Sequence, residues 1–101
     1  SIMNPFSGLG NNVAVSASVT TASGTLPGSS TDASVCRVYN PGTGVAFVRF
    51  GTTAVGSAVT TDAFVAPGVT EVFALPPGVT TVSVILSAST ATVYFQRGGG
   101  I

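Results

Sequence analysis

The chain has 101 residues, 45% of them hydrophobic, and only 6% are charged, against about 25% in an ordinary soluble domain. Three arginines balance three acids, and there is no lysine and no histidine. This composition excludes a disordered chain, a phosphate-binding loop that needs its lysine, and a basic surface able to hold nucleic acid by releasing counterions.

That length makes one domain, which buries roughly 60–65% of its unfolded surface, enough for one modest core. Cys36 is the single cysteine, so neither an internal disulfide nor a cysteine-based metal site is expected. Within Ser34-Val35-Cys36-Arg37-Val38 it reads as a small buried hydrophobe. No apolar run reaches the ~18 residues of a membrane-spanning helix. The start, Ser1-Ile2-Met3-Asn4-Pro5-Phe6, lacks the basic and apolar regions of a signal peptide. A leading serine fits loss of an initiator methionine, so synthesis in a cytosol is the expectation.

Residues 1–12 are rich in glycine, asparagine and proline, with isolated Ile2, Met3, Phe6 and Leu9 and no regular period. They predict an extended arm whose apolar side chains dock on a neighbour or on the domain's own flank. Residues 13–19 alternate apolar and small residues, the period of a half-buried strand, and 23–30 read as a loop. Residues 33–40 and 45–50 read as two strands. Asn40-Pro41-Gly42-Thr43-Gly44 between them is a strong turn signal, and the pair is expected to close a hairpin. A loop or bulge follows at 51–56.

Short strands are predicted at 57–61 and 63–66, then strands at 70–75, 81–87 and 91–96, with 98–101 as a flexible tail. Pro67-Gly68-Val69-Thr70 recurs ten residues later as Pro77-Gly78-Val79-Thr80, which predicts strand, turn, strand in a meander. Valine and threonine dominate and helical periodicity is missing. The fold class is therefore all-β: a small antiparallel β-sandwich, jelly roll or barrel of about seven to eight short strands. The β-domain spans 13–97, between arm and tail. Val82, Val84, Leu86, Val93 and Phe95 are its expected core, with Cys36, Val38, Val48 and Phe50.

Tests for chemistry return little. A serine or cysteine nucleophile needs a base, most often histidine, which the chain lacks. Asp62 and Glu71 could meet as a carboxylate pair, but Asp32 and Asp62, each following a threonine and preceding an alanine, read as Asx-type hydrogen bonding at loop-to-strand junctions. Three dispersed acids do not suggest calcium. No enzyme activity, cofactor or metal is expected. Alternation puts Arg37, Tyr39, Phe47 and Arg49 outside the core. On the expected hairpin they share one face, which resembles an interface patch.

Three stretches carry a likeness: Cys36-Arg37-Val38-Tyr39-Asn40-Pro41-Gly42 with Ala46-Phe47-Val48-Arg49-Phe50-Gly51; Ala66-Pro67-Gly68-Val69-Thr70-Glu71-Val72-Phe73; and Ala91-Thr92-Val93-Tyr94-Phe95 with Gly98-Gly99-Gly100-Ile101. Together they resemble a group of small tailed-bacteriophage structural proteins encoded among head genes. The resemblance implies a virion component, most like a capsid decoration or cement protein. It would be made in the host cytoplasm, bind the major capsid protein on the capsid surface, and associate with itself as a dimer or trimer. Neither nucleic acid nor membrane is an expected partner. The interface would draw on Ile2, Met3, Phe6, Leu9, Arg37, Tyr39, Phe47 and Arg49. Two other readings are a tail or head-fibre module that binds a receptor or glycan, and a secreted bacterial adhesion domain.

Overall fold

In a computed structural model of the chain, residues 6–8, 10–28, 34–52, 58–60 and 62–99 are described. Among them every regular element is a strand: β1 (Ser7–Gly8), β2 (Val13–Ala17), β3 (Ala22–Thr25), β4 (Ser34–Asn40), β5 (Ala46–Gly51), β6 (Ala63–Val65), β7 (Val69–Leu75), β8 (Thr81–Leu86) and β9 (Ala91–Gly99). They form two antiparallel sheets. The first runs β2-β9-β4-β7, with β1 continuing the β2 edge along β9; the second runs β3-β8-β5-β6.

The pairing has a simple logic. β2 pairs β9, β3 pairs β8, β4 pairs β7 and β5 pairs β6. The chain is thus one long hairpin, closed at β5–β6 and rolled up so that successive strand pairs fall in alternate sheets. This winding is the jelly roll, two sheets built from one folded-over hairpin.

The core lies between the sheets and follows the alternation of each strand. Cys36 and Val38 of β4, Val93 and Phe95 of β9, and Val15 and Ala17 of β2 face Val48 of β5 and Val82, Val84 and Leu86 of β8. Phe50 is only partly buried and closes the core's flank, with its ring 5.7 Å from Phe73 and edge-on to Phe95 at 6.4 Å. Such aromatic contacts add about 0.5–1.5 kcal/mol each beyond burial.

Several expectations are corrected. Residues 33–40 and 45–50 do not form a hairpin, because β4 and β5 lie in different sheets. Asn40 is the reason. Its side chain is fully buried at the end of the sandwich, where Nδ2 donates to the carbonyls of Gly44 (2.9 Å) and Val65 (3.0 Å) and Oδ1 accepts from the Gly42 N–H (3.1 Å). Its own carbonyl accepts from the Gly68 N–H at 2.7 Å. One residue therefore pins the β4–β5 and β6–β7 connections together as crossings.

The two Pro-Gly repeats also carry the chain between sheets, from β6 to β7 and from β7 to β8, so the predicted meander is not formed. Gly68 and Gly78 take left-handed φ of 72° and 87°, which a side chain would disfavour by roughly 1–2 kcal/mol.

The expected loop at 23–30 contains strand β3 in its first part. Its inward positions are small because β2 presses on them: a Cβ on Gly24 would sit 3.2 Å from a Val15 methyl. Of the tail expected at 98–101, the described Gly98 and Gly99 belong to β9 and pair with Gly8 and Ser7. Of the strand expected at 57–61, the described residues 58–60 form no strand. Ile2, Met3, Leu9 and Asp32 lie outside the described residues.

Candidate functional site

The molecule presents two outer faces, and each carries part of the expected interface. Arg37 and Tyr39 lie on the outer face of the first sheet, whereas Phe47 and Arg49 lie on that of the second. The single patch expected on a hairpin is therefore split, because β4 and β5 sit back to back across the core.

On the first sheet the outward positions of β4 and β9 are in register: Tyr39 opposite Tyr94, and Arg37 opposite Gln96. The tyrosine rings are nearly parallel, 21° apart in tilt with centroids 6.4 Å apart, and are 41% and 40% exposed. Beside them Arg37 Nη2 donates to Gln96 Oε1 at 3.1 Å, and the guanidinium carbon lies 4.4 Å from the centroid of the Phe6 ring. Gln96 Nε2 in turn donates to the Gly10 carbonyl at 3.2 Å. Phe6 and Gly10 thus lie against the first sheet, and Phe6 fixes Arg37 between an aromatic ring and an amide. Tyr39, Tyr94, Arg37 and Gln96, together with Asn12 and Thr70, line an open groove of about 260 Å³. Among the described residues no carboxylate pairs with Arg37.

The second sheet's outer face is different. Phe47 is in register with Phe64 of β6 on one side and Ile85 of β8 on the other. The three make an apolar row across the sheet, with Phe64 62% exposed and Phe47 and Ile85 partly so. Arg49, expected at an interface, is engaged within the chain. It grips Asp62 through Nε–Oδ2 at 3.1 Å and Nη2–Oδ1 at 3.2 Å, the bidentate geometry of arginine and carboxylate. Asp62 Oδ2 also accepts from the Val59 N–H at 2.8 Å, so the aspartate braces a turn into β6. Just before this turn Ala58 is buried, and its carbonyl accepts from Thr21 Oγ1 at 3.1 Å.

Two interior groups complete the electrostatics. Burial pushes the Cys36 thiol up to about 12, which keeps it protonated and chemically quiet. Arg97 is 1% exposed and points inside, donating to Ser34 Oγ at 3.3 Å and to the Val79 carbonyl, while its Nε finds no protein partner. It ties strand ends β9 and β4 to the approach to β8.

Asp62 and Glu71 are not brought together as a pair: Asp62 is held by Arg49, and Glu71 belongs to β7 of the opposite sheet. Among the described residues no group of three histidine, cysteine or acidic side chains could hold a metal ion, and no helix is long and apolar enough to cross a membrane.

Tyr94 and Gln96 are the functional candidates the sequence reading missed. The signal was present, since Val93 and Phe95 facing inward require their neighbours to face outward. What was lacking was the strand order, which sets β9 beside β4. No known protein family matches the sequence, and neither a curated protein nor a solved structure matches it.

Proposed function

We propose that this chain is a structural protein of a tailed-phage virion, a decoration or cement protein that seats its second sheet on the major capsid protein and reinforces the head. The observation that carries the reading is the apolar row Phe64–Phe47–Ile85 on a chain with almost no charge. A contiguous apolar strip on a small domain is a contact surface. With so few ions at the surface, little polar desolvation opposes association. The likeness of residues 36–42 with 46–51, 66–73, and 91–95 with 98–101 to small tailed-phage structural proteins encoded among head genes supports the choice of partner. The jelly roll is compatible but adds only analogy, as viral capsid proteins, lectins and cupins all use it.

The mechanism is avidity. Each copy buries a modest apolar area where capsomers meet, and self-association as a dimer or trimer ties adjacent sites together. Many weak contacts then oppose outward pressure on the shell.

The test is assembly of empty particles with and without the protein, followed by heating. Decorated particles disrupt at a higher temperature, and Phe64→Asp removes the gain. Equal disruption temperatures would refute the proposal. Counting copies per purified particle separates it from a fibre role: a count on the scale of the major capsid protein supports the shell, and a handful points to the tail.

A further inference from the structure

The first sheet's face is built from different chemistry, and it remains open when the second sheet is seated on a shell. We infer that the groove between Tyr39, Tyr94 and Arg37 is a binding site for a saccharide that carries a carboxylate, a uronate or a sialate.

Three features of the groove point to that ligand. The first is the aromatic wall. Two nearly parallel tyrosine rings, each about two-fifths exposed, offer apolar surface with a hydroxyl at its rim, which suits the C–H face and the hydroxyl edge of a pyranose. The second is the hydrogen-bonding rim. Asn12, Thr70 and Gln96 supply amide and hydroxyl groups that can both donate and accept, as sugar hydroxyls require. The third is charge. Arg37 is a cation set into this wall and paired with no carboxylate among the described residues. Held by the Phe6 ring and the Gln96 amide, its guanidinium is pre-oriented, and a planar fork is matched to a carboxylate. At about 260 Å³ the groove is smaller than the ~300–1,000 Å³ of drug-sized pockets, so it holds a single ring with the rest of the glycan outside.

This site uses neither Phe47 nor Phe64, so it stands or falls separately from the docking face. The experiment is titration of the full chain with 3′-sialyllactose, digalacturonate, lactose and acetate, followed by amide shifts in NMR. One of the acidic saccharides binds with Kd near the millimolar range, shifting the amides of residues 37, 39, 94 and 96. Lactose binds at least tenfold more weakly, and acetate alone does not reproduce the shifts. Arg37→Gln abolishes the preference for the acidic sugar, and Tyr94→Ala removes binding by both. Phe64→Asp leaves affinity unchanged. Because Tyr94 lies on a central strand, Thr70→Trp on the edge strand supplies a second variant that fills the groove without touching the core; it too removes binding. The inference is overturned if neither acidic saccharide binds at about 20 mM. It is also overturned if lactose or acetate matches them, or if Arg37→Gln and Thr70→Trp leave affinity unchanged.

Discussion

The two outer faces of this sandwich share one core yet expose different side chains. The first sheet exposes tyrosines, an arginine, amides and Val72, with Phe6, Ser7–Gly8 and Gly10 laid against it. The second exposes a phenylalanine–isoleucine row and has its arginine neutralised by Asp62. Inward residues of a rolled sheet are fixed by packing, whereas outward ones are fixed only by what they meet. We therefore take the difference between the faces as a difference in proposed occupants: an apolar partner for one, a small polar ligand for the other.

The sharpest way to break this comparison is to loosen the end that holds both sheets. Asn40→Asp replaces two amide donors with a carboxylate aimed at the carbonyls of Gly44 and Val65. With buried acceptors unsatisfied at about 1–3 kcal/mol each, the expected loss is roughly 3–5 kcal/mol in urea unfolding, enough to abolish folding at moderate temperature. A loss under ~1 kcal/mol would show that the crossings do not depend on Asn40.

The next effect is one of pH. Folded Cys36 holds its proton more tightly than the unfolded chain does, with a value of about 12 against the ordinary 9.0. The stability it contributes is complete below pH 9 and falls as pH rises from 9 toward 12. Urea midpoints from about pH 8 to about pH 10.5 should fall more steeply in the wild type than in Cys36→Ala. Parallel profiles would mean that the thiol is not sealed.

A smaller effect isolates the arm. Phe6→Ala removes the ring under Arg37 and should cost about 1 kcal/mol. It should also mobilise the Arg37 and Gln96 side chains in NMR while leaving the Phe47–Phe64 face undisturbed. The smallest is Ser83→Ala on β8. Ser83 is fully buried and its hydroxyl has no protein partner, so deletion should be neutral or stabilising by about 1 kcal/mol.

Much of this architecture was legible in the sequence. Alternation placed Val38, Val84, Val93 and Phe95 inward and Tyr39 and Phe47 outward, because period-two patterning is imposed by a one-sided core. What alternation cannot encode is which strands are neighbours. β4 and β5 are joined by a short turn-rich segment that suits a hairpin or a crossing equally well. The choice rests on where a buried amide finds its carbonyls: Gly44 is local, but Val65 lies 25 residues along the chain. β3 escaped notice because its inward positions, Ala22 and Gly24, must be small beneath Val13 and Val15, which erases the apolar signal. Nothing in the sequence around Arg97 marks it as buried, because its partners, Ser34 Oγ and the Val79 carbonyl, come from other parts of the chain.

The division of labour between the faces is tested most directly by hydroxyl-radical footprinting of the protein free and bound to phage heads. The account predicts that Phe47 and Phe64 lose labelling on the particle while Tyr39 and Tyr94 remain as reactive as in the free protein. Protection of the tyrosines with Phe64 still labelled, or no protection of either face, would contradict it.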